Sequence, residues 1–314
     1  MEVCSLIEPE VHLSSDQLLK TKVNLSRKYR ESVLKDERRF DHDFTLGKLI
    51  AVSGPTRVCK CKCLLTEKWF AVKIYDNVDI SDSQREAFVN ELMINCSVKH
   101  ESLGTLVDIY KDEAKVYAVH ELAQCDLYDR FKERGGFDEA TVATMLKQLL
   151  KGIDYLHQNG IMHRDIKVEN VLCYGDNESN TVKLSDFGHS MRMKDLQEKT
   201  FQNNENNLFG TPHYIPPEII RGFSYTYEAD IWSTGVMVFC LLVGYFPFDD
   251  ERSMKRLFRK IMNGRLKFHC HYWAGISDLA VDFVSKMLRR DPFKRWNASQ
   301  LLKHEWIRKY AKDA

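Results

Sequence analysis

The hydrophobic pattern of the sequence changes its period near residue 126, and this change constrains the fold more than any other feature. Residues 43 to about 120 hold short segments rich in β-branched and aromatic residues: FTLGKLIAV, RVCKCKCLL, WFAVKIY, LVDIY and VYAVHEL. Such segments, separated by short polar gaps, are typical of β-strands. One helix interrupts them. It begins at Ser83, where Ser83 and Glu86 have the spacing of a capping box, and it carries Glu91 near its middle.

After residue 126 the apolar residues recur at helical spacing. Asp138 is placed to cap a helix that ends at Gly160, and further helices are predicted at about 228–243, 252–263, 278–289 and 298–309. The sequence therefore predicts an α+β protein with a small sheet-rich lobe followed by a larger helical lobe. Residues 1–42 are polar and charged, and we interpret them as an N-terminal extension outside the main core.

Composition narrows the class of protein. The 314 residues are 44% apolar, enough for one large domain or two packed lobes, and 46 Lys plus Arg balance 45 Asp plus Glu. The sequence has no long basic run of the kind that binds nucleic acid or anionic lipid. Its longest apolar run, 235–248, is too short to span a membrane. The nine cysteines are scattered, which fits a reducing compartment. We expect a soluble cytosolic or nuclear protein.

Cys59, Cys61 and Cys63 alternate with other residues and would share one face of a strand. Two interpretations are open: a metal site, or small hydrophobic residues in a core. The second is favoured because no histidine or fourth cysteine lies at ligand spacing.

Two segments rich in charged residues follow the first long helical pattern. They read IMHRDIKVENVL (161–172) and VKLSDFGHS (182–190). Around them lie AVK at 71–73, Glu91 on a helix, GTPHYIPPE at 210–218 and DIW at 230–232. In this order the motifs resemble those of the protein kinases, where 161–172 matches the catalytic loop and 186–188 the Asp-Phe-Gly motif. The resemblance covers about residues 43–308 and implies a bilobal protein-kinase fold, with an N-lobe at 43–121, a hinge at 122–126, a C-lobe at 127–308 and a short tail at 309–314.

The resemblance implies ATP and Mg²⁺ as cofactors, because phosphoryl transfer depends on positioning and charge neutralisation. Lys73 would hold the nucleotide phosphates and be held by Glu91. Asn170 and Asp186 would bind the metal, and Asp165 would accept the proton of the substrate hydroxyl. Lys167 would steady the γ-phosphate, and a lysine there is the form of the serine/threonine kinases. The same resemblance places further nucleotide-binding positions at Ile50, Ala51, Ser53, Gly54, Val58, Ala71, His120, Glu121, Ala123, Asp126 and Leu172.

Three residues of the C-lobe match structural positions of kinases. Glu218 and Arg295 correspond to a buried ion pair, and Asp230 to the helix aspartate that anchors the catalytic loop. The segment from Phe209 to Tyr214 would line the site for the residue that follows the phosphorylated one.

The glycine-rich loop of the family is degenerate in this chain. Its three glycine positions fall on Ala51, Ser53 and Thr56, although Gly54 could serve as the middle one if the loop is one residue shorter. Glycine lets the backbone approach the phosphates, so weaker nucleotide binding is expected.

Asn95 and His120 also depart from the family pattern, at a regulatory-spine position and at the gatekeeper position. Asn95 would need a buried partner such as a backbone group, and His120 would be partly solvated. Two functions stay open: an active serine/threonine kinase, or a pseudokinase that acts as a scaffold or allosteric regulator. The presence of Lys73, Asp165 and Asp186 favours the active kinase.

Regulation and substrate are indicated more weakly. The usual activation phosphosite, which would face Arg164, falls on Asn207, so Glu205 is expected to supply a fixed negative charge, and Thr200 is a further candidate site.

Asp126 and Glu169 resemble residues that pair with an arginine three positions before the acceptor. The form DPFKRWNASQLLKHEWI resembles the calcium/calmodulin-dependent kinase group, including the testis-specific serine kinases. We expect a monomer that acts on protein substrates.

Overall fold

A computed structural model describes residues 39–53, 56–76, 82–112, 114–176, 180–195, 211–250 and 252–312. By residue number, the chain divides into two compact units. The first comprises Met1–Cys96 and Val107–Val119, and the second comprises Ser97–Leu106 and His120–Ala314.

The first unit is built on a five-stranded sheet of order β1-β2-β3-β5-β4. Its strands are β1 (Phe44–Ser53), β2 (Thr56–Cys63), β3 (Trp69–Asp76), β4 (Leu106–Lys111) and β5 (Lys115–Glu121). Strands β1, β2 and β3 pair antiparallel in chain order. The predicted helix is present as α2 (Asp82–Ser97); the side chains of Ser83 and Glu86, which carry the predicted capping box, lie outside the described residues.

The cysteines of β2 contribute to the sheet core. Cys59 and Cys61 are buried in an apolar cluster with Val72 and Ile74 of the neighbouring strand, and Cys63 packs at its edge. Burial, reinforced by the two neighbouring thiols, raises the pKa of Cys61 to about 12. A thiol that stays protonated in an apolar cluster behaves as a small hydrophobic residue. Among the described residues, no group of three or more His, Cys, Asp and Glu side chains is arranged to hold a metal ion.

A short helix, α1 (Phe40–Asp43), begins the described chain and corrects one prediction. Residues 1–42 were expected to lie outside the main core, but Phe40 is buried there and stacks on Tyr117, with the ring centroids 4.6 Å apart. Tyr110 donates its hydroxyl to Asp43 at 2.8 Å. The apolar ring of Phe40 stands isolated among charged residues in the sequence, so periodicity did not reveal its burial.

Two small sheets and a set of helices form the second unit. One sheet has the order β6-β8-β9, and the other pairs β7 with β10. These strands are β6 (Cys125–Asp126), β7 (Ile161–Met162), β8 (Val171–Tyr174), β9 (Thr181–Leu184) and β10 (Met191–Arg192). The helices are α3 (Leu127–Arg134), α4 (Glu139–Gln158), α5 (Pro217–Ile220), α6 (Tyr227–Val243), α7 (Met254–Asn263), α8 (Cys270–Trp273), α9 (Asp278–Met287), α10 (Ala298–Leu302) and α11 (Glu305–Tyr310).

The ends of two predicted helices show how local chemistry sets their limits. Asp138 caps α4 as predicted, accepting a hydrogen bond from the Thr141 backbone at 2.7 Å. The prediction of a single helix at 298–309 is wrong, because the segment forms two helices, α10 and α11, separated by Lys303 and His304. The His304 ring accepts a hydrogen bond from the Trp306 backbone and so caps a new helix.

Residues 97–106 belong to the second unit rather than to the first lobe, where the sequence placed them. Gly104 donates its backbone N–H to the Leu184 carbonyl at 2.8 Å, and Leu184 donates to Ser102 at 2.9 Å. This backbone pairing with β9 joins the segment to the second unit. Within the described ranges, no helix is both long enough and apolar enough to span a membrane.

Candidate active site

The first unit contains a buried ion pair between β3 and α2. Lys73 Nζ lies 2.6 Å from Glu91 Oε1, and both side chains are largely buried. Tyr75, two residues after Lys73, donates its hydroxyl to Glu91 Oε2 at 2.7 Å. The pairing of Lys73 with Glu91 is confirmed. With both carboxylate oxygens engaged, Glu91 is fixed in orientation and holds the ammonium group in turn.

Asn95 and His120, the two polar residues that depart from the family pattern, have the surroundings that were predicted for them. Asn95 is buried and donates its side-chain amide to the Glu91 carbonyl at 3.1 Å, so the predicted backbone partner exists. His120 is half-buried. His120 and its neighbour Glu121 belong to the second unit, and Glu121 pairs with Lys183 of the same unit, with 2.5 Å between the charged atoms. Neither polar residue prevents the surrounding elements from forming.

The strands β1 and β2 form a hairpin where the family has its glycine-rich loop. Ala51 pairs with Val58, and Ser53 pairs with Thr56, so only two residues connect the strands. Gly54 lies in that connection, outside the described residues. Ile50 and Ala51 are exposed, Val58 is half-buried, and Ala71 on β3 is half-buried opposite Lys60.

The catalytic loop of the second unit groups two polar side chains around one carboxylate, that of Asp165. Lys167 Nζ lies 2.8 Å from Asp165 Oδ2, and Asn170 Nδ2 donates to the same oxygen at 2.9 Å. Asn170 also donates to the Asp165 carbonyl at 2.7 Å, and both residues are buried. The cluster neutralises and orients a carboxylate that is 6% exposed, which would otherwise be costly to bury.

Asp230 anchors the backbone of this loop. Its Oδ2 accepts from the His163 N–H at 2.9 Å and its Oδ1 accepts from the Arg164 N–H at 2.8 Å, as predicted. His157 adds a contact of 2.8 Å to Oδ2. Burial acts to raise the pKa of Asp230, but the hydrogen bond and charge of His157, with the contribution of His163, outweigh it and lower that pKa. Arg164 has φ of +66°, a strained backbone angle that these two hydrogen bonds stabilise.

The Asp-Phe-Gly motif turns sharply after β9. Asp186 has left-handed backbone angles, φ 61° and ψ 82°, and an exposed carboxylate that accepts from Gly188 at 3.4 Å. Phe187 is buried against the His163 ring, with 5.4 Å between ring centroids. Burial of the phenyl ring in this turn leaves the aspartate carboxylate on the surface of the second unit.

Further predicted nucleotide-binding residues lie on β6 and β8 of the second unit. Asp126 pairs with Leu172 across the two strands, and Ala123 lies just before β6. One oxygen of Asp126 caps α3 by accepting from Asp129 at 2.8 Å. Burial raises the pKa of the Asp126 carboxyl. Asp126 therefore has a structural role as a helix cap.

The predicted ion pair of the second unit is confirmed. Arg295 makes two hydrogen bonds to Glu218, at 2.7 Å and 2.9 Å, and both residues are buried. Arg295 donates further to the carbonyls of Glu228 and Arg289. The pair ties α5, which follows the GTPHY segment, to the start of α6 and to the residues after α9.

Comparison with known proteins identifies this arrangement. The protein kinase domain model matches residues 51–307. The chain belongs to the protein kinase family. It is 36% identical over 265 residues to a serine/threonine-protein kinase H2 of Homo sapiens, covering 84% of this chain and 67% of the relative. It is 34% identical over 282 residues to a serine/threonine-protein kinase H1 homolog of Pinctada fucata, covering 90% and 65%.

A calcium/calmodulin-dependent protein kinase type 1 of Macrobrachium nipponense is 34% identical over 238 residues, covering 76% of this chain and 66% of the relative. The chain thus spans about two thirds of the length of these relatives. Two of them carry the name of serine/threonine-protein kinases and the third that of a calcium/calmodulin-dependent protein kinase, which supports the serine/threonine group and does not favour the pseudokinase alternative. The narrower resemblance to the testis-specific serine kinases stays a prediction.

The start of the activation segment of this kinase domain is held by backbone pairing. Met191 pairs with Met162 between β10 and β7, and Ser190 donates its hydroxyl to the His163 carbonyl at 3.3 Å. A small cavity of about 10 Å³, which has room for about one water molecule, is lined by Asp165 together with Thr211 and Tyr214 from the end of that segment. The predicted regulatory positions Thr200, Glu205 and Asn207, like Phe209, lie outside the described residues.

Sequence reasoning missed two residues of the kinase site. Tyr75 was not predicted, although it lies two positions after Lys73 and so faces the same side of β3. His157 was assigned no role, and the Asp230 that it contacts is 73 residues away. The spacing on β3 could have revealed Tyr75, whereas no local signal could have revealed His157.

Proposed function

We propose that this chain is an active serine/threonine protein kinase that transfers the γ-phosphate of ATP to Ser or Thr hydroxyls of protein substrates. The observation that carries the proposal is the cluster of Lys167 and Asn170 on the Asp165 carboxylate. The cluster holds a general base and a cation within one hydrogen bond of each other, as phosphoryl transfer to a hydroxyl requires.

Asp165 is the proton acceptor in this proposal. Its Oδ2 is engaged by two donors, so the carboxylate has a fixed orientation, and it lines the same cavity as Thr211 and Tyr214. The hydroxyl of a bound substrate would give its proton to this carboxylate. Lys167 would then counter negative charge on the transferred phosphoryl group, and a lysine at this position is the serine/threonine form.

Lys73 serves the nucleotide phosphates. Tyr75 holds the Glu91 carboxylate in place, and that carboxylate positions the ammonium group before the nucleotide binds. Preorganised charge of this kind contributes to the rate because little reorganisation is needed during the reaction.

The oxygen donors for Mg²⁺ are present in the second unit. The amide nitrogen of Asn170 faces Asp165, which directs its amide oxygen away as a possible ligand, and the Asp186 carboxylate is exposed. An amide and a carboxylate oxygen suit Mg²⁺, which retains waters and takes its other ligands from substrate phosphates. When bound, the ion supplies charge neutralisation at those phosphates.

For the substrate we propose an arginine three residues before the acceptor. The proposal rests on Glu169, which is exposed within the catalytic loop, and on the half-buried Asp126. An array of Ser peptides that differ only at that position tests it. Equal phosphorylation of the arginine and alanine peptides would contradict it.

The deciding experiment for the function is ATP- and Mg²⁺-dependent phosphorylation of a basic Ser/Thr peptide at millimolar ATP. We expect turnover that falls at least about a hundredfold in Asp165→Asn and in Lys73→Met, since each removes a charged group that acts in the transition state. Lys60→Met is the matched control, because Lys60 is an exposed lysine of the same sheet, and it should keep the activity.

Folding of each variant is checked by circular dichroism before the rates are compared. A folded wild-type protein whose signal does not exceed that of Asp165→Asn would contradict the proposal and indicate the scaffold function.

A further inference from the structure

Two cysteines of the second unit lie directly opposite each other on neighbouring strands. Cys125 of β6 pairs with Cys173 of β8 in antiparallel register. Residues in such a pair direct their side chains to the same face of the sheet, with Cα atoms about 4.5 to 5.5 Å apart. A disulfide spans Cα separations of about 4.4 to 6.8 Å. The Cα separation expected for such a pair therefore lies within the range that a disulfide spans, and neither cysteine forms a disulfide in this structure.

A buried cation faces one of the two sulfurs. Arg130, on α3, is 2% exposed and donates its Nε–H to Cys125 Sγ at 3.4 Å. It also donates to the Asp176 carbonyl at 3.0 Å and to the Gln124 side chain at 2.8 Å. The guanidinium group is thus held in place by several hydrogen bonds, with its positive charge beside the sulfur that would attack an oxidant.

The two thiols have different environments. Cys125 is half-buried, whereas Cys173 is 2% exposed. Burial, reinforced by the neighbouring Cys125, raises the pKa of Cys173 to about 12. Cys125 is consequently the sulfur that an oxidant in solution reaches first. Cys173 is a protonated thiol next to it, in position to react in a second step.

We propose that Cys125 and Cys173 are a peroxide-sensitive thiol pair that closes into a cross-strand disulfide. Cys125 sulfur attacks one oxygen of hydrogen peroxide; the S–O bond forms, the O–O bond breaks and the leaving hydroxide takes up the thiol proton as water. Cys173 sulfur then attacks the sulfenic acid; the S–S bond forms, the S–O bond breaks, and the hydroxyl leaves with the Cys173 proton as water. Two thiols are oxidised by two electrons, and one peroxide is reduced to two waters.

The position of the pair links it to the proposed kinase activity. The next pair in the same ladder is Asp126 with Leu172, which are expected to contact the nucleotide. A disulfide would fix the two strands that carry them. This consequence rests on the proposed function, whereas the disulfide itself does not and is measured without ATP.

The test treats the folded full chain with hydrogen peroxide, alkylates the remaining thiols, and maps disulfides by mass spectrometry of a non-reduced digest. The expected product is a peptide that joins Cys125 to Cys173 and disappears on treatment with dithiothreitol. Cys173→Ser should accumulate a sulfenic acid at Cys125, detected with dimedone, because the resolving thiol is missing. Cys125→Ser should give no cross-link, and Cys270→Ser, an exposed-thiol control, should cross-link like the wild type.

Two results would overturn the proposal. One is that both cysteines remain alkylatable after oxidation of wild-type protein whose circular dichroism is unchanged. The other is that the Cys125→Ser variant, equally folded, oxidises at Cys173 as fast as the wild type does.

Discussion

The charged side chains of the β1–β2 hairpin are mostly exposed, whereas the carboxylates that organise the catalytic loop, those of Asp165 and Asp230, are buried. In the hairpin, exposed side chains flank the site of the lost glycines, and the ion pair between Arg57 and Asp76 is more than a third exposed. In the catalytic loop, backbone and side chains are fixed by the buried Asp230 carboxylate and by bonds to Asp165. Exposed pairs contribute little, whereas buried networks determine geometry. We infer that this kinase tolerates substitutions in the β1–β2 hairpin, and few substitutions in the cluster around Asp165.

The largest expected effect is on stability, from breaking the buried pair of the second unit. Arg295→Ala leaves the Glu218 carboxylate buried without its bidentate partner and should lower the free energy of unfolding by about 4 kcal/mol. Lys294→Ala is the matched control, since Lys294 is exposed and its pair with Asp291 should contribute less than about 1 kcal/mol. Urea unfolding measures the free energy of unfolding of both variants. Equal losses would contradict the claim that buried charges contribute more than exposed ones.

Asp230→Asn should cost about 3 kcal/mol of stability at neutral pH, because it removes a buried charge that holds two backbone donors. The pKa of Asp230 is below its ordinary value in the folded state, so its contribution is complete above that ordinary value and is lost as pH falls through the lowered pKa.

The test is the difference in unfolding free energy between wild type and Asp230→Asn as a function of pH. His157 and His163 act on Asp230, so the comparison is made below the ordinary titration range of histidine, where the other shared titrating groups largely cancel. There we expect a constant difference at mildly acidic pH and a shrinking one in strong acid. A difference that grows as the pH falls further would contradict the depressed pKa.

Arg57→Ala addresses the hairpin with the same measurement. The pair of Arg57 with Asp76 joins β2 to the end of β3 at 3.1 Å, but both side chains are partly solvated. The expected loss is about 0.5 kcal/mol and should fall further in high salt, which screens exposed charges. A loss as large as that of Arg295→Ala would show that the hairpin depends on charge as strongly as the catalytic loop does.

The last prediction concerns the lost glycines and nucleotide affinity, with no loss of stability large enough to compare with the buried pairs. Ala51→Gly should lower the KM for ATP about threefold without changing kcat, a gain of less than 1.4 kcal/mol in nucleotide affinity. Glycine lets the backbone approach the phosphates more closely, although it weakens the strand. Steady-state kinetics over a range of ATP concentrations separates KM from kcat. A change in kcat alone would show that the hairpin takes part in the chemical step.

The sequence predicted those parts of the molecule that depend on local pattern or on strong motifs. The predicted strands and the Asp138 cap are confirmed. The pairs Lys73 with Glu91 and Glu218 with Arg295 are confirmed as well, since charged groups buried in a core need particular partners.

What the sequence did not predict depends on long-range register. The burial of Phe40, the attachment of residues 97–106 to β9 and the pairing of Cys125 with Cys173 arise only when distant segments meet. No periodicity within a single segment encodes them.

One measurement tests the central claim, that charged groups of the catalytic loop carry the chemistry while the hairpin sets nucleotide affinity. It is the determination of kcat and KM for ATP, side by side, in wild type, Ala51→Gly and Asp165→Asn. We predict a lower KM with unchanged kcat for the first variant and, for the second, a kcat reduced at least about a hundredfold. A folded wild type without turnover, or a hairpin variant whose kcat changes as strongly as that of Asp165→Asn, would contradict the claim.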